Sequence, residues 1–163
     1  MPAIAAVFIL SSLLLSACSS IDCPLNNRVF AKYKISGDTS IISDSITVSA
    51  PLSQAEGDDT VLVNKSSGID SLNIPMSYNH PEDMLLFTVN VKDTTLSYTD
   101  TVWVEKEDLP HFESIDCNPS FFHTIKGVRC THNIIDSIKL NNPNVTYNDA
   151  KAHFIIYFKS SGN

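Results

Sequence analysis

Basic residues are few and nowhere clustered. Eleven Lys and Arg stand against eighteen Asp and Glu, for a formal net charge of −7. That balance lacks the cation density needed to grip phosphate backbones, so nucleic acid is excluded as a partner. Glycine is scarce as well, at five residues. No glycine-rich loop is available to cradle a phosphate. Neither G-x-S-x-G nor H-E-x-x-H appears, which removes the two commonest one-line signatures of hydrolytic chemistry. No dozen-residue window holds an apolar period of 3.6, so helical bundles are out. Past residue 17 the apolar runs are only strand-length, too short to span a bilayer as helices.

Charge is also missing from the first seventeen residues. Val7–Leu15, VFILSSLLL, is apolar apart from two serines, and it runs into Leu15-Ser16-Ala17-Cys18. An apolar segment closed by small residues reads as a cleaved export signal. Leu-Ser-Ala-Cys resembles the bacterial lipobox. That resemblance implies removal of residues 1–17 and a mature chain opening on Cys18, diacylated on its sulfur and acylated on its new amine. The segment departs from the usual signal in carrying no Lys or Arg ahead of the apolar run. Several acyl chains on one residue make a lasting anchor. The implied partner is the lipid bilayer, and the only non-protein group expected is the covalent lipid on Cys18. Residues 18–27 then form the lipidated cysteine and a short tether, and 28–163 one domain. A chain of this size buries a sizeable core without needing a staple.

Strand signals fill the rest. In RVFAKYKI, Val29, Ala31, Tyr33 and Ile35 share one face, with Arg28, Lys32 and Lys34 on the other. Period-two alternation of this kind marks a half-buried strand. DSITVSA, TVLVN, DSLNIPM, MLLFTVNV, TDTVWVEK and NIIDSIKL repeat it. AHFIIYFK is apolar on both faces, which suits an interior strand. Pro75 lies inside one strand signal and marks that strand as an edge. PLSQAEG and PSFFHTI each read as one turn of helix. The connectors are rich in Asp, Asn, Ser, Gly and Pro, as turns require. About eight short strands predict an all-β fold, a single antiparallel β-sandwich of Ig-like or barrel-like form.

Three cysteines remain beside Cys18. Export permits disulfides, and Cys23, Cys117 and Cys130 allow one bridge in three ways. Cys23–Cys117 would staple the tether to the body and is preferred; Cys117–Cys130 is the competitor. The stretch His111–His132 also holds three of the five histidines. His111, His123, Cys130 and His132 are candidate metal ligands. Their spacings lack the tight pairs of zinc sites, and only Cys130-x-His132 is short enough to share a strand face. That same pair is the one Cys–His nucleophile candidate, and no orienting partner or oxyanion motif accompanies it.

Asp followed by Ser or Thr and then an aliphatic residue occurs five times, at Ser45, Thr60, Ser71, Thr101 and Ser137. Strand entry explains the pattern: Asp ends a turn, and the aliphatic residue starts the buried face. The tripeptide also resembles the O-glycosylation acceptor motif of exported Bacteroidetes proteins, which makes those five hydroxyls candidate acceptors.

CPLNNRVFAKY, then DTVWVEKEDLPHFESIDCNPSFFHTIKGVRCTHNIIDSI, then VTYNDAKAHFIIYFK together resemble an uncharacterised family of short Bacteroidales lipoproteins. The resemblance covers nearly all of the mature chain. It implies a lipoprotein with an all-β domain and supplies no activity and no catalytic residues. Cys23 and Cys117 fall inside the family-like stretches, whereas Cys130 departs from them. The expected function is a non-catalytic envelope lipoprotein, binding or structural, at the outer membrane of a Bacteroidetes-like bacterium. Its partner would be an envelope protein or glycan. The alternative is a metal-binding lipoprotein built on the cluster between His111 and His132. Ser19, where inner-membrane retention uses Asp, implies transfer to the outer membrane. A single acidic residue after the cysteine, Asp22, favours a periplasm-facing domain over display at the cell surface.

Overall fold

Half-buried alternation produces strands, and strands dominate the structure. The structure is a computed structural model that describes residues 23, 28–37, 45–51, 59–91, 95–147 and 149–159. The signal segment, Cys18 and all of the tether except Cys23 lie outside the described residues. Ten strands follow in chain order: β1 Phe30–Ser36, β2 Ser45–Pro51, β3 Asp59–Ser66, β4 Ser71–Pro75, β5 Glu82–Asn90, β6 Ser97–His111, β7 Ser120–Cys130, β8 Ile135–Leu140, β9 Asn144–Val145 and β10 Phe154–Phe158. No helix occurs among the described residues.

Among the described residues the count is ten rather than eight, and the two extra strands are β7 and β9. PSFFHTI, read as a helical turn, opens β7. Its buried positions are Ser120, His123 and Ile125, two polar residues and one apolar, so no hydrophobic alternation announces it. β9 has only two residues, below the length at which periodicity exists.

The strands form two sheets, ordered β4-β1-β10-β8 and β3-β2-β5-β6-β7-β9. Among the described residues both orders are open at their ends, so neither sheet closes into a barrel there. Among the described residues the pairing is antiparallel except between β1 and β10, which run parallel from Tyr33↔Phe154 to Ser36↔Tyr157. The expectation of a wholly antiparallel fold is corrected here. Tight turns force antiparallel neighbours, whereas a parallel pair needs a long crossover. The first and last strands have nearly the whole domain between them to serve as one.

One apolar core joins the sheets. Val29, Ala31, Tyr33 and Ile35 all point into it, as their alternation predicts, and Leu85, Phe87 and Val89 answer from β5. Tyr33 stacks on Phe154 with centroids 4.6 Å apart and meets Phe87 of the facing sheet at 5.8 Å. β10 lies between β1 and β8, as its two apolar faces require, and Pro75 ends the edge strand β4. The pattern fails in β3, where Val61 is exposed. Register shifts between β2 and β3 turn that edge, and a bulge moves side chains between faces.

β6 and β7 outrun their sheet. The last β5–β6 pair is Glu82↔Glu105, while β6–β7 pairing continues to His111↔Ser120. The hairpin therefore projects past β5. Its connecting loop, 112–119, carries Cys117, bonded to Cys23.

Candidate functional site

At the end of the body where the hairpin projects, β2 stops at Pro51, β4 stops at Pro75 and β5 starts at Glu82. These ends do not close on one another. They leave a cleft of about 490 Å³. Pro51, Leu62, Pro75, Met76, Met84 and Leu85 give it an apolar lining, and Arg28, His80, Glu82 and Asp83 supply charge and hydrogen-bonding groups. An apolar concavity with a few polar groups is the ordinary form of a binding site.

Beside the cleft lies a buried polar network. Lys106 points inward from β6, its side chain fully buried. Its Nζ donates to the carbonyl of His80 at 2.8 Å and to Asp108 Oδ1 at 2.7 Å, with Asp83 Oδ1 at 3.9 Å. Its backbone N–H donates to the Pro81 carbonyl at 2.8 Å. Asp83 in turn accepts from the Ser77 backbone N–H at 3.2 Å and from the Ser77 hydroxyl. The cleft wall from Ser77 to Asp83 is thus pinned to β6. A buried cation survives only when paired and hydrogen-bonded, and here two carboxylates and a carbonyl do that.

His123 of β7 joins the same network. Burial pushes its pKa down. Hydrogen bonding to Asp108 opposes that, the Lys106 charge reinforces it, and the net shift is downward. The ring is therefore neutral at pH 7, and Nδ1–H donates to Asp108 Oδ1 at 2.7 Å.

The four candidate metal ligands are not brought together. His123 is committed to Asp108 on the inner side of the hairpin. His111, at the end of β6, stacks on Phe122 at 4.2 Å and pairs with Glu113 at 3.2 Å. Cys130 ends β7, seven positions from His123 and roughly 20 Å away along the strand. Among the described residues no three His, Cys, Asp or Glu side chains converge as a ligand set.

Cys130 and His132 do approach, Sγ to Nδ1 at 3.9 Å. His132 Nδ1 also faces the carbonyl of Ile135 at 3.2 Å. A carbonyl only accepts, so that nitrogen carries the proton and cannot take one from the thiol. Burial, with the Asp100 charge behind it, pushes the Cys130 thiol above its ordinary value. A thiol raised in this way is a poor nucleophile.

The sequence pattern does not reveal the anchor beside it. Asp100 is fully buried and accepts from the Thr131 hydroxyl at 2.6 Å and from the backbone N–H groups of Asn133, Ile134 and Ile135 at 2.7–2.8 Å. It fastens the β7–β8 corner to β6. Asp149 does similar work near the chain's end, accepting from Thr146 and facing His153 Nε2 at 3.1 Å. His153 Nδ1 then accepts the N–H of Lys32 at 2.8 Å.

Of the candidate glycan acceptors, Ser45 is buried and its Oγ accepts from Asn90. Ser71, Thr101 and Ser137 are half-buried, and Thr60 is exposed at the cleft.

Cys23 and Cys117 form a disulfide with Cα atoms 5.5 Å apart. Residues 45–158 match the model of a family of unknown function, DUF6452. The match runs from the first residue of β2 to the last of β10 and takes in most of the cleft wall. No curated protein and no solved structure matches the chain.

Proposed function

The chain belongs to DUF6452, a family of unknown function, and from that premise we propose a lipid-anchored envelope protein: a non-catalytic Ig-like β-sandwich held at the outer membrane by acylated Cys18. It faces the periplasm of a Bacteroidetes-like bacterium and holds an envelope protein or glycan in the cleft beside β5. The observation that carries this reading is the Cys23–Cys117 bridge. Disulfides persist in oxidising compartments, so the bridge supports export. It closes just after the lipobox-like Leu15–Cys18, which supports an anchor at that point.

The non-catalytic part draws support from the state of the polar groups. Lys106 is spent on three oxygens, the Ser77 hydroxyl on Asp83, and His123 on Asp108. Each holds architecture.

Metabolic labelling with an alkynyl palmitate analogue tests the anchor. Expression in a Gram-negative host should give a labelled band in the outer-membrane fraction, absent from Cys18→Ser. A chain that carries no label and fractionates with soluble periplasmic proteins would end this reading. Protease treatment of intact cells tests the side: the domain should survive until the outer membrane is permeabilised.

A further inference from the structure

The loop between β6 and β7 is built tightly and yet presents apolar groups to solvent. Cys117 N–H donates to the Ser114 carbonyl at 3.2 Å, closing a turn whose central residues are Ile115 and Asp116. The disulfide fixes the turn's far side. Turn centres favour Gly, Pro, Asn, Asp and Ser. Here a β-branched aliphatic residue occupies one, 97% exposed. Phe112 is 61% exposed and Leu109 is 44% exposed. Single exposed apolar residues need no explanation, but several on one protruding tip do.

We propose that this tip, Phe112 and Ile115 above all, is a membrane-docking surface that inserts into the lipid interface. This rests on the anchoring reading above. What decides the occupant is the length of chain between lipid and loop. Cys18 and Cys23 are five residues apart, a span of no more than about 18 Å when fully extended. Cys23 is bonded to Cys117, two residues from Ile115. The bridge therefore ties the loop to the acylated end more closely than the chain's own continuation ties β1, which starts seven residues after Cys23, at Phe30. A tether read as running to Asn27 is in effect cut to Ser19–Asp22. The hairpin's projection past β5 puts the loop ahead of the rest of the body.

Energetics suit a shallow contact. Moving an exposed Phe or Ile out of water is favourable, but two such side chains add little beside several acyl chains. That is too little to hold a soluble protein and enough to orient one already anchored. From Leu109 in β6 through the loop to Pro119 the hairpin tip has Glu113 and Asp116 and neither Lys nor Arg. Attraction to anionic headgroups therefore plays no part, and the contact should survive raised salt.

The test uses the mature lipidated protein in vesicles of phosphatidylethanolamine and phosphatidylglycerol doped with bromine-labelled phosphatidylcholine. Trp103 is the single tryptophan, nine positions back along β6 from Phe112 and roughly 30 Å away. In wild-type protein its emission should be unaffected by bromolipid. In Trp103→Phe/Phe112→Trp and Trp103→Phe/Ile115→Trp, emission should fall by about half or more, as a side chain at the interface requires. Flotation separates the two readings. If the protein does not float with the vesicles, the anchor fails and this proposal with it. If it floats while both introduced indoles stay unquenched, the docking surface alone is overturned, and the apolar tip becomes a protein contact. Quenching of Trp103 with silent loop positions would also overturn it, because the body would then lie on the face of its larger sheet.

Discussion

At Asp100, burial and hydrogen bonding pull in opposite directions. Burial raises a carboxyl's pKa, but the N–H of Ile135, the Thr131 hydroxyl and the N–H groups of Asn133 and Ile134 outweigh it, and the net shift is down. Asp149 is lowered too, against burial, by Thr146 and His153. A carboxylate whose folded pKa lies below its unfolded one stabilises fully above the unfolded value. That contribution is lost as pH falls from about 4 through the folded value. Acid unfolding should therefore set in below pH about 4, and Asp100→Asn should remove part of that acid dependence. The same variant at pH 7 should lose about 2–4 kcal/mol in urea unfolding, because its amide can present N–H groups to three N–H donors. An unchanged midpoint would mean the carboxylate holds nothing. Cys130 shifts the other way: burial and the Asp100 charge favour its thiol form. Iodoacetamide at pH 8 should alkylate it several-fold more slowly in folded than in urea-unfolded protein. In the sequence, Asp100 opens one of five Asp-Ser/Thr-aliphatic tripeptides and reads as the end of a turn. Its donors arrive some thirty residues later, and no local pattern carries that separation. The preferred bridge was legible for a different reason: with so few thiols, there were only three ways to pair them.

The β6–β7 hairpin shows where strand patterns stop being informative. Alternation made Val102 and Val104 inward, and they are buried. At Lys106 the inward position turns from valine to a cation, which reads as the strand's end. The strand instead runs five residues further, because Asp83, Asp108 and the His80 carbonyl receive the amine. Pro110 is tolerated because β5 has already ended, so its missing N–H faces no partner strand. Lys106→Met keeps the volume but leaves two carboxylates facing each other beside a neutral histidine. It should cost about 3–5 kcal/mol, and hydrogen exchange should quicken first in the hairpin and the Ser77–Asp83 wall. Uniform loss of protection would show that the network supports the whole body instead. The disulfide has its own signature. It spans a separation of 94 residues, and chain-entropy reasoning gives about 4–5 kcal/mol for a loop that long. Cys117→Ala should lower stability by that order under oxidising conditions. Wild-type protein treated with reductant should match it.

Over the whole molecule, the four-stranded sheet gathers the chain's beginning, middle and end. β1 needs β4 on one side and β10 on the other, and β10 needs β8. The core cannot close until the last strand is present. Sequence separations this long predict slow folding, in milliseconds to seconds. They also make the C-terminus indispensable, although chain ends are usually expendable. Removing β10 deletes Phe154, Ile156 and Phe158, all buried, and strips the Tyr33 ring of its stacking partner. Large-to-small losses at such sites cost about 3–5 kcal/mol each, so three together match or exceed the 5–15 kcal/mol that holds a typical domain. The parallel ladder to β1 goes as well, together with the His153 link to Lys32. A chain ending at Ala152 should lack the near-ultraviolet circular dichroism of Trp103 and show no cooperative urea transition. One ending at Lys159 should keep both, since Lys159 still reaches the His132 carbonyl through Nζ and the Ile134 carbonyl through its N–H. If the Ala152 chain retained a sharp transition near the full-length midpoint, the six-stranded sheet would be folding independently. The parallel closure of first strand on last would then be a late addition to a core that already stands.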